Sequence, residues 1–484
     1  MALGSRRRFV GALLLAAALV AALFGSAPAG AVADGPRIDA QLARALDRLP
    51  AGKPYGAFVH FEVQGTAAQK AVLGAAGLRA SAVFDRIDVV YATGTVRALR
   101  NLFDEPSVSF LESNRKLRFF QDTALDATRA RAGEGATPFR DAQGRPLDGT
   151  GVGVAIVDSG ILGSHPDFAG SIGANFKVVC STPGLISTET EQCFGPVFYV
   201  EASDTDTTSG HGTHVAGIAG GDGSSSDGAY RGVAPGSTLY GYSTGEVISV
   251  LFALEAWQHI LDNNASFSPQ IRVVNNSWGD PGGTPYDPES VYSKMTAEMV
   301  ASGLTMVFAA GNSGGDGSQD AMSSTAKDPT PGVIAVANYD DADSGTRDGQ
   351  LSSSSSRGED GDPANYPDVS APGTNITSTC IQAIQPICNA GRIDPSTLPF
   401  YATISGTSMA SPHVAGAVAL LLQARPDLTP AQVEDVIQDT AHKFTFGGAY
   451  EADPQNSGGS TSFDKGAGLL DVTAALEALG VTRS

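Results

Sequence analysis

Four short apolar runs constrain this chain more than anything else in it. Residues 151–158 read Gly-Val-Gly-Val-Ala-Ile-Val-Asp, and residues 271–276, 305–310 and 332–337 repeat that richness in Val, Ile and Ala. A strand that is apolar on both sides must be covered on both sides. Helical periodicity falls between the runs, at residues 214–220, 247–263 and 290–302. Buried strands alternating with helices predict an α/β domain, a parallel sheet with helices on both faces. In such sheets the chemistry gathers at the carboxyl ends of the strands. Stretches rich in Gly, Ser and Asp, at 220–228, 311–319 and 340–361, read as surface loops, because core elements continue after each.

A smaller unit precedes this domain. Residues 56–63, 87–93 and 108–112 read as strands and residues 67–78 and 95–103 as helices, an order that suits a split βαβ, ferredoxin-like α+β layout. Residues 121–149 are polar and form a connection. Further upstream, Arg6, Arg7 and Arg8 precede an apolar run at 9–24, and Ala31-Val32-Ala33 follows with small residues. That is the layout of a secretory signal, and the run is short for a membrane span. The expected division is residues 1–33 as signal peptide, 34–120 as the small unit and 121–484 as the large domain, in a secreted, extracellular protein. Four cysteines, Cys180, Cys193, Cys380 and Cys388, lie in two sequence-local pairs. An oxidising destination favours disulfides 180–193 and 380–388 among three connectivities. Neither spacing suits zinc.

Charge is unevenly divided. The first 120 residues carry 15 Lys+Arg against 9 Asp+Glu, net +6, so the rest of a chain of net charge −20 carries −26. Such a surface repels nucleic acid and anionic membranes, so neither is expected as a partner.

Hydrolysing an amide with a serine needs a base for the hydroxyl proton, an acid to orient that base, and donors for the oxyanion. Three separated motifs supply those residue types. Val157-Asp158-Ser159-Gly160 ends the first apolar run with a carboxylate. Gly210-His211-Gly212-Thr213-His214-Val215-Ala216-Gly217 opens a helix with an imidazole, and Gly406-Thr407-Ser408-Met409-Ala410-Ser411-Pro412-His413 leads a small-residue turn into an apolar helix. Ser408 thus sits at a helix N-terminus, where the dipole favours developing negative charge.

On these motifs the chain resembles the subtilases, secreted subtilisin-like serine proteases, over about residues 145–475. The order Asp, His, Ser is that family's own triad order. The resemblance implies that Asp158 orients, His211 is the general base and acid, and Ser408 is the nucleophile. His214 and His413 are then packing residues. It implies that Asn312, in Ala309-Ala310-Gly311-Asn312, donates to the oxyanion beside the Ser408 N–H. It also implies that Ser277-Trp278-Gly279 forms the strand on which an extended peptide substrate is laid, opposite an edge near residues 243–247. No catalytic cofactor is implied. A structural calcium is expected at Asp167, with oxygens from the loop 222–227.

The small unit is similar to the inhibitor-type propeptides of this family, which assist folding and leave their tail in the active site. It is mildly basic, with 12 Lys+Arg and 9 Asp+Glu over residues 34–120, against the acidic large domain. Placing residues 115–120 in the cleft predicts self-cleavage between Phe120 and Gln121 and an apolar or aromatic preference before the cut. The rival is a basic preference, with cleavage after Lys116 or Arg118. The expectation is a monomeric secreted endopeptidase made as a zymogen and acting on proteins or peptides; the alternative is an inactive subtilase-fold binding protein. A lipase or esterase is disfavoured, since no G-x-S-x-G surrounds Ser408.

Overall fold

The computed structural model describes residues 35–114, 118–119, 139–181, 193, 195–245, 249–342, 344–381, 385–390 and 399–482. The expected signal peptide, residues 1–33, and Phe120 and Gln121 lie outside them.

The N-terminal unit comprises β1 (Arg37–Ile38), α1 (Ala40–Arg48), β2 (Pro54–Phe61), α2 (Thr66–Ala76), β3 (Arg79–Phe84), β4 (Val89–Thr95), α3 (Val96–Arg100) and β5 (Val108–Ser113). Its sheet runs β1-β5-β2-β4-β3. From β2 to β5 this is the order of a split βαβ unit. Three of these elements were not foreseen: β1, α1 and β3. The half-exposed edge strand β3 carries small residues, Ala80, Ser81 and Ala82, and a register shift against β4, so its alternation is too weak to read.

The large domain is built on a nine-stranded sheet. Its strands are β7 (Gly153–Asp158), β8 (Ile172–Cys180), β9 (Val197–Glu201), β10 (Thr238–Ser243), β11 (Ile271–Asn276), β13 (Thr305–Ala309), β14 (Val333–Asp340), β15 (Gln350–Leu351) and β16 (Val369–Pro372). The order is β15-β14-β13-β11-β7-β10-β8-β9, with β16 also on β14. All six pairings among β7, β8, β10, β11, β13, β14 and β16 are parallel, and only β9 and β15 run antiparallel at the edges. This is the α/β class expected. Helices α4 (His211–Gly220) and α8 (Thr407–Ala424) cover one face, where Val215, Ile218, Met409, Val414 and Val418 pack on Val154 and Ile156. Helices α5 (Val250–Asn263) and α6 (Val291–Ala301) cover the other through Leu251, Leu254, Trp257 and Met295. The central β7 is flanked by β10 on one side, where the chain first lays down β8 and β9, and by β11 on the other, to which it crosses after β10. This reversal opens a crevice at the strands' carboxyl ends.

Shorter elements finish the domain: β12 (Trp278–Gly279), β17 (Ile376–Thr379), α7 (Ile387–Ala390), β18 (Tyr401–Ile404), α9 (Pro430–Thr440), β19 (Glu451–Ala452), β20 (Ser460–Thr461) and α10 (Val472–Ala478). Both disulfides pair as expected, Cys180 with Cys193 and Cys380 with Cys388. The two units meet on α5 and α6, where Phe58, Phe84, Val89 and Tyr91 join the cluster around Trp257 and Tyr292. Glu112 accepts from the Val291 N–H at 2.9 Å and Asn114 from the Leu251 N–H at 3.1 Å, so each helix start finds a partner in the other unit. Beyond β5, β6 (Arg118–Phe119) pairs antiparallel with β12, Phe119 opposite Trp278 and Arg118 opposite Gly279.

Candidate active site

Strand β7 delivers Asp158 to the crevice, wholly buried, and α4 begins at His211, also wholly buried. The His211 Nδ1 lies 2.7 Å from Asp158 Oδ1, which also accepts from the Ser159 N–H at 2.7 Å. A buried carboxylate this close fixes the ring's orientation and places the proton on Nδ1. The glycines of the motif follow from space: a Cβ on Gly212 would stand 2.2 Å from the Gly160 carbonyl oxygen. Asp206, buried and unforeseen, secures the same turn. Its Oδ1 accepts from the Gly210 N–H at 2.9 Å, and its Oδ2 from the Thr213 N–H at 3.0 Å and hydroxyl at 2.6 Å. Burial pushes its carboxyl up; these donors oppose that.

Ser408 lies in the first turn of α8, fully buried, with its Oγ 3.0 Å from the Ser277 carbonyl oxygen. Pro412, inside the helix, explains a second contact. Proline has no N–H to bond the carbonyl four residues earlier, so the Ser408 carbonyl is left open. The Ser277 hydroxyl fills it at 2.9 Å and also meets the Ser411 hydroxyl at 2.8 Å. A proline four positions after Ser408 was legible as a signal for such a partner, and only the partner's identity needed the fold.

Asn312 follows β13 through Gly311, whose φ of +116° is one that glycine adopts freely. The Asn312 Oδ1 accepts from the Thr407 N–H at 3.0 Å and the Thr407 hydroxyl at 3.1 Å. A backbone N–H can only donate, so this pair fixes which amide atom is the oxygen. The Nδ2 is then left buried with no protein partner among the described residues. A buried donor without an acceptor costs about 1–3 kcal/mol.

Strand β12 presents its backbone to β6, and the Trp278 side chain turns inward. It donates from Nε1 to the Val157 carbonyl at 2.7 Å and stacks on Trp257 at 5.8 Å between ring centroids. Trp278 therefore pairs with β6 through its main chain, while its ring belongs to the core. On the opposing edge, Ser243 ends β10 and donates to the Ser159 carbonyl at 2.7 Å; residues 246–248 lie outside the described residues. His214 Nε2 meets the Ala402 carbonyl at 3.1 Å and His413 Nδ1 the Met409 carbonyl at 2.8 Å. Burial lowers their pKa values to about 3 and about 4, so both stay neutral and serve as packing residues.

The expected calcium at Asp167 does not fit. Its Oδ1 accepts from the Ser225 N–H at 2.9 Å and the Ser224 hydroxyl at 3.4 Å, and its Oδ2 from the Tyr401 hydroxyl at 2.5 Å. Calcium needs six to eight oxygen lone pairs converging on one point. Here the loop aims hydrogens at the carboxylate instead. Among the described residues no group of three acidic, histidine or cysteine side chains could hold a metal.

Comparison with known proteins agrees with this geometry. The family model described as Peptidase_S8, the subtilase family, matches residues 149–468. The serine protease AprX of Bacillus subtilis (strain 168) is 31% identical over 372 residues, 75% of this chain and 76% of that protein. Subtilisin E of the same organism is 30% identical over 418 residues, 85% of this chain and 87% of its own. Among solved structures, fervidolysin from Fervidobacterium pennivorans, a keratinolytic enzyme related to subtilisin, superposes with a TM-score of 0.63 at 22% identity. That match covers 92% of this chain and 63% of fervidolysin, and speaks to the fold alone. With a buried Asp–His pair and a helix-start serine set in a sheet of this order, the chain belongs to the subtilase family and is a serine endopeptidase.

Proposed function

We propose that this chain is a secreted zymogen whose large domain, residues 121–484, hydrolyses peptide bonds through an acyl-enzyme formed on Ser408. The observation that carries the reading is the buried His211–Asp158 hydrogen bond of 2.7 Å, which leaves Nε2 as the nitrogen that exchanges protons. Nε2 takes the Ser408 hydroxyl proton as Oγ attacks the scissile carbonyl carbon, and Asp158 stabilises the imidazolium. The oxyanion is met by the Asn312 Nδ2 and the Ser408 N–H at the head of α8. Collapse passes the proton to the leaving amine and leaves an ester on Ser408. Water, deprotonated by the same imidazole, cleaves that ester. The substrate lies along Ser277, Trp278 and Gly279 as an added antiparallel strand. No step needs a cofactor.

The N-terminal unit, residues 34–120, acts as an inhibitory and folding propeptide. Support comes from β6, which occupies the strand position a substrate would take. Its register sets Phe119 against Trp278, the neighbour of Ser277, whose carbonyl lies 3.0 Å from Ser408 Oγ. This register favours cleavage after Phe120 and an apolar or aromatic residue before the cut. Among the described residues no helix is long and apolar enough to cross a membrane. Labelling with a fluorophosphonate tests the nucleophile: intact mass should show one adduct, absent in Ser408→Ala. An adduct that persists in that variant overturns the reading. Edman sequencing of the mature enzyme should begin at Gln121, and a start after Lys116 or Arg118 would favour the basic alternative.

A further inference from the structure

A glutamine far along the chain from every catalytic motif stands behind the helix that carries His211. Gln385 belongs to the loop closed by the Cys380–Cys388 disulfide and is wholly buried. Its Nε2 lies 2.9 Å from the Asp206 carbonyl oxygen and 2.8 Å from the Thr213 Oγ1, with the Asp206 Oδ2 at 3.4 Å. Its Oε1 accepts from the Ile381 N–H at 2.8 Å, which ties the side chain to its own loop. The loop presses on the same turn. The Ile387 N–H donates to the Ser209 carbonyl at 3.2 Å, and a Cβ on Gly210 would stand 2.8 Å from both Gln385 Cβ and Ile387 Cγ2.

Those contacts converge on the groups that set the first turn of α4. Asp206 holds the N–H groups of Gly210 and Thr213, on either side of His211, and the Thr213 hydroxyl accepts from the Leu162 N–H at 3.0 Å, in the loop that follows Asp158. The Thr213 hydroxyl therefore bridges the segment that carries the acid and the helix that carries the base. Gln385 reaches the turn from outside both segments, as Ile387 does, and it supplies one donor to both the Asp206 carbonyl and the Thr213 hydroxyl. Without it a buried carbonyl and a buried hydroxyl lose a donor, and α4 can rotate or slide against β7. An error of about 1 Å in placing a catalytic group costs about a hundredfold in rate.

We propose that Gln385, held by the Cys380–Cys388 loop, is a positioning residue that fixes the first turn of α4 and with it the geometry between His211 and Asp158. The proposal rests on the triad reading given above, and its test separates the two. Gln385→Met fills the same space without donors or acceptors, and Cys380→Ser with Cys388→Ser frees the loop while keeping the glutamine. Both enzymes are titrated with fluorophosphonate so that rates refer to competent sites alone. The expected result is a fall in kcat of about 10- to 100-fold with KM changed less than twofold. The downfield Nδ1–H proton resonance of His211 should broaden or move upfield. A kcat per titrated site within twofold of the parent, with that resonance unmoved, overturns the proposal. Should Ser408→Ala keep the parent turnover, it is the triad reading that fails instead.

Discussion

At the level of single residues the site is a set of donors and acceptors whose partners are counted out. Asn312 shows this most plainly, because both donors of Thr407 go to its oxygen and its Nδ2 is left buried with no protein partner among the described residues. Asn312→Ala should lower kcat by about 100- to 1,000-fold with little change in KM, the magnitude known for the corresponding donor in subtilisin itself. Steady-state kinetics on a peptide anilide would check it, and an unchanged kcat would remove Asn312 from the oxyanion site. The positions of Asp158, His211, Ser408 and Asn312 at strand ends and helix starts, and the burial of His214 and His413, were legible because each lies within a motif of neighbours. Asp206, Gln385 and the Ser277 hydroxyl were not: Gln385 and Ser277 find these partners 131 or more positions away, and Asp206 lies just outside the motif whose Gly210 and Thr213 it holds. Asp167 misled for a related reason. A carboxylate in a loop-facing position suits calcium by type, and only the direction of the Ser225 and Tyr401 hydrogens shows that it does not fit here.

Among the elements, buried strands were easiest to foresee. Strands β7, β11, β13 and β14 have nearly continuous apolar sequence, and each formed within three residues of its expected bounds. The less apolar β8, β9 and β3 needed their neighbours to define them. Helix α8 starts at Thr407, which puts Ser408 in its first turn as expected, although the long apolar run begins only at Val414. The helices α5 and α6 have starts completed by the N-terminal unit, through Asn114 and Glu112. Each such bond is worth about 1 kcal/mol net, and more where the acceptor is charged. Glu112→Ala with Asn114→Ala, made in a separately expressed N-terminal unit, should weaken its inhibition of the mature enzyme by at least about tenfold. A Ki within twofold of the parent would mean that the apolar face of the sheet alone holds the two units together.

At the scale of the whole molecule, buried titratable groups set opposing responses to pH. His214 and His413 are held neutral by burial, with pKa values lowered to about 3 and about 4. Below about pH 6.5 the unfolded chain binds protons that the folded one refuses, so their contribution is complete above that value and is lost as pH falls. Each costs about 1 kcal/mol per pH unit through that range. Asp368 and Glu434 act the other way. Burial, and then a neighbouring carboxylate, pushes both carboxyls up, so their contribution is complete in acid and is lost as pH rises. Comparison with a variant isolates one group from the sum: in a Ser408→Ala background, His413→Gln should lose less stability to urea between pH 7 and pH 5 than its parent does. Equal losses would show that His413 is not held neutral.

The central claim is that Asp158, His211 and Ser408 act as one unit. Groups that act as a unit fail together, so removing a second adds little to the loss from the first. The direct measurement is kcat/KM on one peptide substrate for Ser408→Ala, His211→Ala and the double variant, each purified free of parent enzyme. The prediction is that the double variant is no slower than the slower single variant to within about tenfold. Losses that multiply, so that the double variant falls by the product of the two singles, would contradict a shared acyl-transfer mechanism.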